Sequence, residues 1–242
     1  NINNSNTSAN INYLDSTITN LYTSSGVAYI ESGNGAEIVI RQSLFTGTIT
    51  SELDSESGSS SINANLINVH AGGVAAYAQG CTLVLEEVMS TTDIILGSLQ
   101  STIQTYLGGL VGEVSTANNN GGIVQATNVA STGRIIPITS YNTDATRNLF
   151  YIGGFVGRAD TVDFTNAYSL SSIILDSLTN SAIQALNVNA LYGEASTINT
   201  EYVYYSSDYA LVTENSDSEN DGIYNLTAFT LARSNAWRTN RN

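Results

Sequence analysis

Apolar and polar positions along this chain come in short bursts punctuated by glycine, and the bursts recur in one order. A small-residue pair, two apolar residues and another small residue read Gly72-Gly73-Val74-Ala75-Ala76, then Gly108-Gly109-Leu110-Val111-Gly112, then Gly153-Gly154-Phe155-Val156-Gly157. Degraded copies stand at Asn189-Ala190-Leu191-Tyr192-Gly193 and at Ser25-Gly26-Val27-Ala28-Tyr29. Recurrence at roughly 36 to 47 residues is the mark of a repeat architecture. The third copy shows the unit best, with strands predicted over 108–114, 122–131 and 133–139 and a turn signal at Asn118 to Gly122. The same plan gives 26–31, 36–46 and 47–52 in the first copy and 72–78, 82–91 and 93–97 in the second. It gives 153–159, 162–171 and 172–176 in the fourth, and 189–195, 198–206 and 209–214 in the last. Helical periodicity is scarce, and only 98–107 and 176–186, both linkers, tolerate it.

Three strands per unit, repeated five times, predict an all-β fold: a right-handed parallel β-solenoid (β-helix) of about five three-strand coils. Each coil buries its apolar side against the next, and handedness follows the rule for parallel crossovers. A sandwich would lack an equivalent phrase at equivalent spacing, and a propeller blade needs four strands. The division expected is a polar N-terminal lead or partial coil over 1–24, repeats over 25–214 and a C-terminal cap over 215–242. Phe229 and Trp237 of that cap would close an aggregation-prone edge. Gly72, Gly73, Gly108, Gly109, Gly112, Gly153, Gly154 and Gly157 are expected at corners, where glycine reaches positive φ and lets backbones approach. Asn128 and Asn166 occupy matching places in adjacent strands. They are expected either to hydrogen-bond from coil to coil as a ladder or to serve as turn residues.

Composition narrows the function. Seven Arg, no Lys and 21 Asp+Glu give a net charge of −14 in 242 residues. Such a surface argues against nucleic acid and against an anionic membrane face, and it leaves protein partners, divalent cations or glycans. Hydrophobic content of 42% supports a core despite only 12% charged residues. No apolar run is long enough for a transmembrane helix. The absence of an initiator Met and of a signal peptide reads as a processed or excised piece of a longer chain. Asn3, Asn6 and Asn225 are glycosylation candidates, though such triplets arise readily in an Asn/Ser/Thr-rich chain.

The phrase itself resembles the GLUG-motif repeats of large surface proteins, whose Gly-Gly-Leu-Val-Gly is matched letter for letter by Gly108 to Gly112 and with Phe for Leu by Gly153 to Gly157. Tyr204-Tyr205, Leu226-Thr227-Ala228-Phe229 and Ala236-Trp237 resemble the segment that often closes such repeats. The resemblance covers roughly residues 25 to 240. Residues 26 to 31 depart from the phrase, and the spacing exceeds the family's usual repeat. It implies adhesin-like β-helix segments, extracellular or on the cell surface, and supplies no catalytic residues.

Candidate chemistry is thin. His70, the only histidine, stands directly before a corner and is read as structural; no nucleophile elbow marks a triad. Cys81 is read as a small buried hydrophobe. Glu86, Glu87 and Asp93, then Glu113 with Arg134, then Arg158, Asp160 and Asp163 are the groups a carbohydrate-active β-helix would align on one outer face. Asp217, Glu219 and Asp221, followed by Gly222, resemble the start of a calcium loop, while Leu226 and Thr227 replace the bidentate Glu of an EF-hand. Tyr202, Tyr204, Tyr205 and Tyr209 are candidates for stacking on sugars or for a protein interface. The expected role is an extracellular structural or adhesive module of a filament, stalk or surface coat. It has no catalysis of its own and no cofactor, with calcium as the one candidate ion. It would meet protein partners or further copies of itself through 51–69, 97–106, 140–150 and 176–187. The alternative is a lyase or hydrolase acting on acidic glycans.

Overall fold

In the computed structural model the described residues are 2–3, 6–12, 20–51, 68–96, 104–117, 120–137, 148–174, 183–205 and 223–225, and they are almost entirely strand. The strands in chain order are β1 (Ile2–Asn3), β2 (Asn6–Asn12), β3 (Asn20–Ser24), β4 (Val27–Ser51), β5 (Asn68–Gly72) and β6 (Ala75–Ser90). Next come β7 (Asp93–Leu96), β8 (Gln104–Gly108), β9 (Val111–Ala117), β10 (Asn120–Gly121), β11 (Ile123–Ser131) and β12 (Arg134–Pro137). The last are β13 (Asn148–Gly153), β14 (Val156–Ser169), β15 (Ser172–Ile173), β16 (Ile183–Asn189), β17 (Tyr192–Tyr205) and β18 (Ile223–Asn225).

These form two sheets, parallel throughout except for the short β9–β10 pair. One has five strands in the order β16-β13-β8-β5-β3; the other has 13. The recurring phrase is the bend between them. Gly72, Gly108, Gly153 and Asn189 end strands of the small sheet in one aligned row, and Ser24 extends it. Ala75, Val111, Val156 and Tyr192 begin strands of the large sheet in another, with Val27 as its first member. The bends themselves are bonded in series. Val27 N–H donates to the Val74 carbonyl (2.9 Å), Val74 to Leu110 (2.7 Å), Leu110 to Phe155 (2.9 Å) and Phe155 to Leu191 (2.8 Å). The small-sheet strands fall partly inside stretches expected to be linkers, since 104–106, 148–150 and 183–187 lie on β8, β13 and β16.

The expected right-handed parallel β-solenoid (β-helix) of five three-strand coils is corrected by the strand pairing. β6 pairs with both β9 and β11, and β14 pairs with both β9 and β11, every pairing parallel. The four strands therefore close on themselves as a parallel barrel. β4 lies on β6 outside that ring and β17 on β14. The reason is local. In the third copy the chain breaks between β9 and β11, where Asn120 and Gly121 turn back on Ala117 and Thr116 in an antiparallel pair. In the second and fourth copies two expected strands run as one, Ala75–Ser90 and Val156–Ser169, so each spans both fragments. Gly80, at φ 64°, bends β6 without ending it.

Alternation places one side chain in two inside. Leu83, Val124, Val162, Phe164 and Leu110 are fully buried in one apolar cluster, and Ile94, Leu107, Ile135 and Ile152 in a second. The corner glycines carry no positive φ; that conformation falls instead at Gly35, Gly47, Gly80, Gly121 and Gly122. Their requirement is space. A Cβ on Gly109 would overlap Ser131 Oγ and the Gly154 carbonyl oxygen, and one on Gly154 would overlap the Ala190 carbonyl and Ser169 Oγ. Beneath the bends runs a seam of buried hydroxyls. Ser131 and Ser171 share a hydrogen bond (2.6 Å), Ser169 donates to the Ala190 carbonyl (2.7 Å) and Ser171 to that of Gly154 (3.2 Å).

Candidate functional site

Two side-chain rows face each other across the bend. Tyr22, His70, Tyr106, Tyr151 and Asn187 are aligned neighbours in the small sheet, each two residues before the bend. Tyr29, Tyr77, Glu113, Arg158 and Glu194 are aligned in the large sheet, just after it. Parallel in-register pairing at about 4.8 Å forces like positions into stacking distance. His70 lies 4.9 Å from the Tyr22 ring and 4.7 Å from Tyr106; Tyr106 lies 5.1 Å from Tyr151 at an interplanar angle of 8°. Tyr77 closes on His70 from the other row at 4.8 Å and on Tyr29 at 5.5 Å.

The charged half of the second row completes a network that runs from a buried end at Glu113 to an exposed one at Glu194. His70 (4% exposed) and Glu113 (6% exposed) approach to 3.1 Å, Nδ1 to Oε2, without the alignment of a formed hydrogen bond. The other Glu113 oxygen lies 3.6 Å from Arg158, which reaches Glu194 at 3.3 Å and lies over the Tyr151 ring at 5.5 Å. Burial opposes the Arg158 charge, yet Glu113, Tyr106 and Glu194 together hold its pKa above the ordinary arginine value. Burial, then Glu113, pushes the Tyr106 phenol well above the ordinary tyrosine range. That hydroxyl donates to Gln104 Oε1 (2.6 Å), and the Tyr77 hydroxyl is bonded to Ser115 Oγ (2.7 Å).

The remaining sequence candidates are dispersed. Glu113 belongs to this network rather than to Arg134. Arg134 instead grips Asp93, with its backbone N–H at 2.8 Å from Oδ1 and a guanidinium nitrogen at 2.6 Å from Oδ2. Burial alone would raise the Asp93 pKa, but those bonds hold it below the usual value. Glu86 pairs with Arg41 at 3.5 Å. Glu87 occupies the positive-φ row of Gln42, Asn128, Asn166 and Tyr202. Asp160 accepts from Thr116 (2.9 Å), and Asp163 is aligned with Gln125 and Asn199. These acids thus occupy separate rows instead of converging. Asn166 Nδ2 donates to Asn128 Oδ1 at 3.2 Å. Cys81 is buried, which raises its thiol pKa. Tyr204 stacks on Tyr168 at 5.0 Å and 11°, so its ring face is spent on a neighbour, whereas Tyr202 is 51% exposed.

Asn3, Asn6 and Asn225 lie on β1, β2 and β18. Asp217, Glu219, Asp221, Tyr209, Phe229 and Trp237 lie outside the described residues, as does most of 215–242. Among the described residues no three His, Cys, Asp or Glu gather to hold a metal, and no helix is long and apolar enough to cross a membrane. The paired rows are the feature that reading copy by copy misses. Counting each residue from the first small residue of its own phrase would have shown His70, Tyr106 and Tyr151 in one phase and Tyr77, Glu113, Arg158 and Glu194 in another, while Tyr22 and Tyr29 join them only when the first copy is counted from Ser24, which pairs with Gly72. Comparison of the chain with known protein families, curated proteins and solved structures finds no match.

Proposed function

We propose that the chain is an extracellular structural or adhesive module, part of a filament, stalk or surface coat, with no catalysis of its own. One observation carries this reading. Polar and aromatic side chains at equivalent positions are engaged with the same position of the next strand: Tyr106 with Tyr151, Arg158 with Glu194, Asn166 with Asn128, Asp93 with Arg134. Such rows stiffen a parallel stack, and rigidity is what a load-bearing or display element needs. Tyr106 is buried between His70 and Tyr151, Tyr151 lies between Tyr106 and Arg158, and Tyr168 covers one face of Tyr204, so these rings are engaged within the chain rather than set out as a sugar platform. The GLUG resemblance points to the same surface role, and protein partners or further copies are its contacts. The assembly state of the purified chain, read by light scattering and electron microscopy with and without calcium, tests it alongside a glycan-binding and cleavage screen. Polymers, or binding without turnover, are expected. Cleavage of an acidic glycan would overturn the reading, and so would a monomer that binds nothing.

A further inference from the structure

Three tyrosines meet at the first bend. The ring centroids of Tyr22 on β3, Tyr29 on β4 and Tyr77 on β6 lie 5.2 Å (Tyr22–Tyr29), 5.3 Å (Tyr22–Tyr77) and 5.5 Å (Tyr29–Tyr77) apart, so each ring is packed on both others. The stacks of Tyr106 on Tyr151 and of Tyr168 on Tyr204 each run along a single sheet, whereas this group joins the two sheets. Tyr29 is its outlet to solvent, at 42% exposed, while Tyr22 and Tyr77 are partly buried. The Tyr29 hydroxyl is hydrogen-bonded to the exposed Glu31 carboxylate, two residues further along the same face of β4. Tyr202, at 51% exposed, is the more open phenol, and exposure alone would select it instead.

We propose that this group is a site of oxidative cross-linking, where a peroxidase-type one-electron oxidant converts Tyr29 and one of its two neighbours, Tyr22 or Tyr77, into dityrosine. Tyr29 meets the oxidant and gives up one electron. An oxidised phenol is a strong acid, and its proton passes to the Glu31 carboxylate already hydrogen-bonded to it. A second oxidation through Tyr29 places another radical on a touching ring, whose hydroxyl proton goes to water. The two phenoxyl radicals join through ortho ring carbons, and the hydrogens on those carbons move to the oxygens, which restores both phenols. The chain has then lost two electrons and two protons; one hydrogen peroxide takes them up and becomes two waters. The new bond ties β4 to β3 across the bend or to β6 alongside it. Cys81 is the only cysteine, so no disulfide within the chain can make that tie. The site concerns a single chain and goes beyond the assembly reading, so neither stands on the other.

The test treats the dilute full-length chain with a haem peroxidase and hydrogen peroxide. Expected is a monomer lighter by two hydrogen atoms that carries dityrosine fluorescence and has Tyr29 as one half of the link. Trypsin cleaves after Arg41 and Arg134, so coupling to Tyr22 stays within peptide 1–41 and coupling to Tyr77 joins it to peptide 42–134. Tyr29→Phe is expected to abolish the monomeric product, Glu31→Gln to slow its formation severalfold, and Tyr202→Phe to leave it unchanged. Dityrosine that lacks Tyr29, such as a Tyr168–Tyr204 link, would overturn the inference, as would dityrosine confined to covalent dimers or none at all. Equal rates in Glu31→Gln and the unaltered chain would overturn the part given to Glu31.

Discussion

The two sides of the bend are built on opposite principles. Below it, Gly109 and Gly154 sit against Ser131, Ser169 and Ser171, where nothing larger fits. Beside it, Tyr106, His70, Glu113 and Arg158 fill a wide seam with large polar groups that neutralise one another. The first seam is held by exclusion, so a single added methyl is felt by backbone atoms that cannot retreat. The second is held by pairing, so its cost appears when one partner is removed and fades when both are replaced together.

The largest effect is expected from Gly109→Val. Its Cβ would collide with Ser131 Oγ and with the Gly154 carbonyl, and only the former can move. A loss above about 4 kcal/mol is expected, read as absence of a cooperative thermal transition by circular dichroism. A normal melt would remove the distinction between the seams. Glu113→Ala comes next, at about 2 to 3 kcal/mol. It takes the carboxylate away from Arg158 and from beside the His70 ring, although Arg158 keeps partial access to water and to Glu194. His70→Phe/Glu113→Leu together should recover most of that loss. If the double variant is worse than Glu113→Ala, the pairing account is wrong.

The smallest effect is one of pH. The Tyr106 phenol is held above its ordinary value of 10.0 in the folded chain, chiefly by burial. A group whose folded pKa is raised keeps its proton where the unfolded chain has lost it. Its contribution is therefore complete below about pH 10 and declines as pH rises beyond it, by about 1.4 kcal/mol per unit. Melting temperatures from pH 8 to 11.5 should fall at the alkaline end, and Tyr106→Phe should flatten the fall. An identical slope in Tyr106→Phe would place the alkaline sensitivity elsewhere.

The glycine seam was legible because it is written consecutively: Gly108-Gly109 and Gly153-Gly154 announce the bend in any single copy. The reason for the glycines was half legible, since close approach holds and positive φ does not. The paired seam was not legible, because Tyr106 and Glu113 are unremarkable apart and acquire partners only once strand register is known. The five strands before the bends were missed for a similar reason. Thr105-Tyr106-Leu107 is too short to show alternation and emerges from polar sequence. Ring closure was hidden by Gly80, which reads as a stop but lies inside an unbroken β6.

The hairpin between β9 and β10 has a consequence for how the chain finds this arrangement. Neighbouring parallel strands join residues such as Val27 and Ala75, or Val111 and Val156, which are tens of positions apart. Each such pairing must close a long loop before any contact rewards it, so high contact order sets a slow rate. Asn120 and Gly121 against Ala117 and Thr116 form, among the described residues, the one backbone pairing that needs no such search. An interruption in the third copy thereby gives the described strands their one local starting point.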